Sequence, residues 1–409
     1  MSKTSNSFQL FEDITSDAWS ADLDKNSLYI CKATCKNAAD QVIRNHKSEI
    51  RQERVSKSLI KLPGKCLRIN EKFESLSGPD QVSQDRFDAI CTCLSKPFVN
   101  LDELRQLSWR GVPRPHRPKV WKLLLDCMPP REERRLNQKN KKIKEYSDLK
   151  KDYFDGVDQH QMNDTLIQIQ KDTKRMATIA GNENFIEMFN RILLIWSSRH
   201  PGSGYVQGMN DLVTPFFLVF LGEFMPIQTD DRCHLIGTKD LTNEDLNEIE
   251  CSTFWCLNNF ISSIQSHYTF AQASVQRSIH QLISLIKFFD LKLHSKLIAN
   301  EIDYIQFAFR WMNNFLLREI PLGCGIRLFD TYLSEKDQLP KFHVYVCAAF
   351  LTHFSDRLMA EPDFQSLLIL LQNLPTEHWK EEEINIILAK AHYYRSLYSG
   401  CNEAKNLQL

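Results

Sequence analysis

The sequence predicts an all-α protein: a single large multi-helix domain, 98–409, preceded by a mostly disordered polar tail, 1–97. Three observations predict it. From about residue 98 onward, apolar side chains recur at helical spacing in segment after segment. Strand signals are nearly missing, with few alternating runs and only 13 glycines. Residues 1–97 are rich in Ser, Lys, Asn, Asp and Gln, and such a stretch buries too little apolar area to offset its chain entropy.

The totals narrow the function. A length of 409 residues suits one large or two ordinary domains, and 43% hydrophobic residues allow a sizeable core. The 51 basic and 51 acidic side chains cancel, which argues against a nucleic-acid partner held by bulk positive charge. The 12 cysteines form no CxxC pair and have no histidine cluster beside them, so no metal site is expected and a reducing, cytoplasmic setting fits. The first residues lack the apolar core of a signal peptide. The most apolar run, 212–221, falls short of the ~20 residues needed to span a bilayer, so membrane association is expected to be peripheral at most.

Taken in order, the tail offers one candidate anchor, Phe11 to Trp19. Ser56 and Ser58 lie beside basic residues, so adaptor or phospho-dependent partners would meet the chain here. Asn100 caps a helix over 101–108, with Leu101, Leu104 and Leu107 on one face. The turn Trp109-Arg-Gly111-Val-Pro113 leads to a second helix in which Pro118 occupies the permissive first turn. The segment 131–151 carries nine basic residues from Arg131 to Lys151 and reads as a solvated helix, or else as a patch facing phosphates or an acidic partner. Asn163 or Asp164 caps a helix bearing Leu166, Ile167 and Ile169. A helix over 184–200 puts Phe185, Met188, Phe189, Ile192, Leu193 and Trp196 on one broad buried face. The run 212–221 is apolar on every side; Asn210 or Thr214 caps it, and with Thr214 as cap Pro215 takes the first helical position. Residues 226–250 read as an exposed acidic insertion. Helices follow over 254–266, 274–289, 304–318, 342–354, 363–374 and 381–397.

No self-contained chemistry emerges. The chain lacks GxxxxGK[ST], GxSxG, HExxH and an EF-hand loop, and no cofactor of its own is expected. What stands out is a pair of polar segments in apolar surroundings. In Ile169-Gln-Lys-Asp172-Thr-Lys-Arg175, Asp172 lies one helical turn before Arg175 and can hold its guanidinium in one direction; the plainer reading is a surface ion pair worth under ~1 kcal/mol. In Tyr205-Val-Gln207-Gly208, glycines let the backbone turn tightly, and an extended chain points Tyr205 and Gln207 the same way. The plainer reading is a buried loop with Gln207 bonded to stray backbone groups.

Both segments, in this order and with a helix between them, resemble the signature of the TBC-domain family of Rab GTPase-activating proteins: IxxDxxR as Ile169, Asp172 and Arg175, and YxQG as Tyr205, Gln207 and Gly208. Trp109-Arg-Gly111-Val-Pro113 with Arg117 and Trp121 is similar to the family's opening motif. Arg310-Trp311, Arg318-Glu-Ile-Pro321-Leu and Arg327-Leu-Phe-Asp330 resemble its later motif, with Phe329 where a Trp is usual. The wording Arg199-His-Pro-Gly-Ser-Gly-Tyr205 through Phe217 is similar to the member-22-like subgroup. Lys174 and Met176 flank Arg175 where a Thr often follows the Arg.

The resemblance implies a TBC domain that is no independent enzyme. It implies acceleration of GTP hydrolysis by a Rab-family small GTPase, with Arg175 and Gln207 as arginine and glutamine fingers supplied in trans. Asp172, Tyr205 and Gly208 would support them. GTP and Mg²⁺ would belong to the partner GTPase. The setting implied is vesicle trafficking, from the cytoplasm or at Golgi or vesicle membranes. The alternative is a non-catalytic TBC-fold scaffold or adaptor that binds Rab or Golgi-membrane proteins.

Overall fold

The computed structural model describes residues 84–155, 159–176, 182–225, 241–268 and 273–406. Two compact units divide the chain: Pro63–Arg395, and Met1–Leu62 together with Ser396–Leu409. Of the second, only the end of the last helix is described. The first is all-helical among the described residues, apart from one isolated bridge between Phe98 and Arg131. In chain order its helices are α1 (Gln84–Ser95), α2 (Leu101–Ser108), α3 (Arg117–Leu124), α4 (Arg135–Asp155), α5 (Gln159–Thr173), α6 (Glu183–Arg199), α7 (Met209–Leu221) and α8 (Asn243–Ser263). There follow α9 (Ala273–Phe289), α10 (Leu291–Ala299), α11 (Ile305–Asn314), α12 (Leu322–Ser334), α13 (Leu339–His353), α14 (Ser355–Ala360), α15 (Phe364–Gln372) and α16 (Glu381–Asn406). None of them is long and apolar enough to cross a membrane.

The centre of the unit is α7. From Leu212 to Leu221 every side chain is buried, as a helix apolar all round requires. It packs against α3, α5, α6, α8, α11 and α12. Phe216 meets Trp121, Phe260 and Phe329 edge-on or tilted at centroid distances of 5.5–5.8 Å. Phe329 stacks on Phe260 at 5.2 Å inside this cluster and is fully buried there. Whatever sits at the N-terminus of α7 is therefore carried by a helix buried from Leu212 to Leu221.

A buried carboxylate fixes the other wall. Asp330, fully shielded, accepts from Val112 N (3.0 Å), Arg117 Nε (3.1 Å) and Trp121 Nε1 (2.8 Å). Arg117 reaches on to Glu381 at 3.2 Å. Gly111 has φ +109°, and a Cβ there would stand 2.8 Å from Arg327 Nε, which accounts for glycine in the Trp-Arg-Gly turn.

Several boundaries differ from the sequence reading. The stretch 84–95, assigned to the tail, is helical and buries Ile90, Cys93 and Leu94. α8 begins at Asn243 behind a Thr242–Asp245 capping box, so the last part of the expected insertion is helix; 226–240 lie outside the described residues. Glu250, expected to be solvated, is 3% exposed and binds Tyr146 Oη (2.9 Å) and Arg191 (2.8 Å). α4 is otherwise largely exposed, with Tyr146 on its inner face. α5 starts at Gln159, before the expected cap. Pro215 lies inside α7, not at its first position, because Gly208 provides the N-cap. The helix expected over 304–318 stops at Asn314, where Phe315 (φ 51°) and Leu316 (φ 62°) both turn left-handed while their side chains stay buried.

A buried imidazole couples stability to pH. His343 Nε2 donates to Trp311 O (3.0 Å), so Nδ1 must accept from Tyr332 Oη (2.6 Å). This arrangement uses both ring nitrogens of the neutral form, and burial pushes the group down to about 3. His267, also pushed down by burial to about 4, and Cys347 are its polar neighbours. An unfolded histidine gains a proton below about 6.5 that folded His343 refuses until about 3, so its contribution to stability is lost as pH falls through that window. Urea unfolding from pH 6 to 4 is expected to show a slope smaller by about 1.4 kcal/mol per pH unit in His343→Asn than in the wild type. An unchanged slope would mean that this imidazole is not held neutral.

Candidate functional site

Two loops from opposite ends of α6 meet beside the N-terminus of α7. The first is the end of α5. Its last turn tightens, with Arg175 N donating to Asp172 O (3.2 Å) and Met176 N to Thr173 O (3.1 Å). Buried Ile169 and Thr173 hold it down, and Thr173 Oγ1 donates to Asn190 Oδ1 on α6 at 2.8 Å. Lys174 and Arg175 are left exposed and Met176 tucks in. Among the described residues the Arg175 guanidinium has no carboxylate within ion-pair distance.

The second loop runs from the end of α6. Ser203 N and Gly204 N both donate to His200 O (3.0 and 2.8 Å), and the His200 ring stacks on Trp196 at 4.5 Å. The chain then extends through Tyr205 and Val206 and turns back through Gln207 into α7, with Met209 N donating to Val206 O at 3.1 Å. Gly208 caps the helix at φ +104°. A Cβ there would press into the carboxamide of Asn314, so glycine answers both the backbone sign and the close approach. Gln207 is exposed.

Tyr205 joins the two loops. Its hydroxyl donates to Asp172 Oδ2 at 2.8 Å, with Asn210 Oδ1 at 3.4 Å. Burial first, and then the bond to Asp172, push the phenol well above its ordinary range, so it remains a donor. Asp172 is 4% exposed. Its carboxylate is thus engaged by Tyr205, not by Arg175, which corrects the expectation that it orients the guanidinium directly; it anchors the loop that carries the arginine. Asn210, 1% exposed, also accepts from Gly208 N at 3.2 Å.

The third wall comes from the left-handed turn after α11. Asp211 Oδ2, in the first turn of α7, accepts from Asn314 Nδ2 and from Arg318 Nε, each at 2.6 Å. Burial raises the Asp211 carboxyl and Arg318 pulls it back. Pro215 has no N–H to give to the carbonyl of Asp211 one turn earlier. Asp172, Arg175, Gln207, Asp211 and Arg318, with apolar Met176, Ile320 and Leu322, line one open cleft of about 530 Å³. Arg175 and Gln207, 32 positions apart in sequence, therefore share one surface depression. The sequence pointed to Asp172, Arg175, Tyr205, Gln207 and Gly208. It did not point to Asn314 or Asp211 as their supports; the signal available was the Asn313-Asn314 pair at the end of an amphipathic helix, with Asn314 four residues before Arg318.

The family model of the Rab-GTPase-TBC domain matches residues 114–359, more than half of the chain. The chain belongs to that family. TBC1 domain family member 22A of Homo sapiens is 38% identical over 95% of this chain and 86% of its own length. The GTPase-activating protein gyp1 of Schizosaccharomyces pombe is 38% identical over 86% of this chain and 68% of its own. Among solved structures, the crystal structure of the Ypt/Rab-GAP domain of Gyp1p aligns at a TM-score of 0.72 and 40% identity, covering 77% of this chain and 98% of that one. The family match takes in both loops of the cleft, α7 and the wall formed by Asn314 and Arg318. The TBC domain of this chain is thus all-helical, as the motifs imply.

Removing the Tyr205 hydroxyl leaves the buried Asp172 carboxylate without its donor. Tyr205→Phe is therefore expected to lower the unfolding free energy by about 1–3 kcal/mol in urea titration. A change below about 0.3 kcal/mol would show that this bond does not tie the loops.

Proposed function

We propose that this protein accelerates GTP hydrolysis by a Rab-family small GTPase, supplying Arg175 and Gln207 in trans. The observation that carries the reading is the convergence of these two side chains on one open cleft, with the Arg175 guanidinium unclaimed by any described carboxylate. Hydrolysis spreads negative charge over the transferring phosphoryl group and needs a water in line with the breaking bond. Arg175 brings positive charge to that group in a site the docked partner closes to water, where the charge acts most strongly. The carboxamide of Gln207 both donates and accepts, so it can hold the attacking water from both sides. Asp172 and Tyr205 keep the two loops in register. GTP and Mg²⁺ are bound by the GTPase and not by this chain. Under this reading the protein is cytoplasmic and meets Golgi or vesicle membranes through its partner, acting in vesicle trafficking.

The test is single-turnover GTP hydrolysis by a panel of purified Rabs. The wild type should accelerate one or a few of them, and Arg175→Ala should lose about 10³-fold or more. Gln207→Ala should lose the acceleration as well. If only Arg175→Ala is inactive, the GTPase's own glutamine places the water. If Rabs bind but none hydrolyses faster, the domain is a scaffold and the catalytic reading fails.

A further inference from the structure

The glutamine loop is tied at Tyr205 to Asp172 and at Gly208 N to Asn210 Oδ1, and the stretch between these two ties carries Gln207. The loop contains Gly202, Gly204 and Gly208, and two of these have positive φ. The cap of α7 has no side-chain bond of its own, and Pro215 withholds a helical donor one turn later. A further support comes from the turn at Asn314, 103 positions after Asp211. Asn314, 3% exposed, places Nδ2 on Asp211 Oδ2 at 2.6 Å and lays its carboxamide over Gly208, the residue next to Gln207. The same carboxylate oxygen takes Arg318 Nε at 2.6 Å. Between the two donors the backbone passes through two successive non-glycine residues at positive φ, Phe315 and Leu316. Such a conformation persists only where surrounding packing holds it, and both side chains are buried.

We propose that Asn314 is a positioning residue for Gln207, acting through Asp211 and Gly208. This rests on the glutamine-finger reading for its kinetic consequence, but the structural part stands apart from it. Asn314 lies against the loop backbone and the first turn of α7, not against the cleft opening, so it fixes where the Gln207 side chain starts from and touches no partner. Arg318 shares the carboxylate and stops Asp211 from turning away.

The experiment uses the full chain with Asn314→Ser, which keeps a small polar group but cannot span the gap, and Gln207→Ala, singly and together. The expected result has three parts. Amide hydrogen exchange over residues 203–209 is faster in Asn314→Ser than in the wild type, with no GTPase present. With a responding Rab, the single-turnover rate falls about 10- to 100-fold while KM for the GTPase stays within about twofold. The double variant is no slower than Gln207→Ala alone, because a group that acts through Gln207 has nothing left to position. Unchanged exchange, or a double variant slowed by the full product of both effects, overturns the proposal. If no Rab responds to the wild type, the functional reading fails and the exchange result alone decides the positioning role. If Asn314→Ser does not fold, Asp211→Asn is put through the same measurements with the same outcomes, since it weakens both bonds at their shared acceptor.

Discussion

A charge with no access to water, the carboxylate of Asp330, imposes the arrangement on which the site depends. Leaving it unpaired would cost several kcal/mol. It is satisfied by three donors drawn from residues 112–121, more than 200 positions earlier in the chain. Burial raises its pKa and Arg117 opposes the rise, while Arg117 is held in turn by Glu381. The consequence is geometric. Helix α12 is fixed along its length, and its first residue, Leu322, forms part of the cleft wall. The same constraint presses α12 onto α7 through Phe329 and Phe216. Two of the elements that bound the cleft, α7 and α12, are thus packed on one another in the core.

Within the cleft, polar groups are sorted by whether the chain itself satisfies them. Asp172 is spoken for by Tyr205, and Asp211 by Asn314 and Arg318. Each of these bonds joins segments distant in sequence, so together they act as cross-ties between α5, the loop before α7, and the turn after α11. Hydrogen bonds to ionised acceptors are the stronger kind, and here they are partly shielded from solvent. Arg175 and Gln207, exposed at the rim, have no such tie among the described residues.

Much of this could be read from residues alone, for identifiable reasons. The amphipathic pattern of α6 and the uniformly apolar α7 announced a buried helical core, because periodicity follows directly from which face is dry. Arg175 and Gln207 could be named because they belong to short linear motifs. What the sequence could not supply was the partner of Asp172. Spacing suggested Arg175, three residues away, but the end of α5 tightens into a turn that leaves the carboxylate facing a tyrosine 33 positions on. The break after Asn314 was hidden as well, since Phe315 and Leu316 are ordinary helix-core residues whose left-handed conformation is dictated by packing, not by preference. Glu250 was misread for a similar reason: in sequence it closes an acidic stretch, whereas in space it serves Tyr146 and Arg191.

The unclaimed guanidinium of Arg175 has a consequence for discrimination. A cation carried into a closing interface loses its hydration, and the loss is recovered only if an anion waits at the far side. In the proposed reaction a partner holding a triphosphate presents that anion, and one holding a diphosphate does not. Because Asp172 and Asp211 are already engaged within the chain, no counter-ion among the described residues softens the difference. The protein would then sense the nucleotide state of its partner by what happens to one unpaired charge, and product release would follow from the same electrostatics once the terminal phosphate departs.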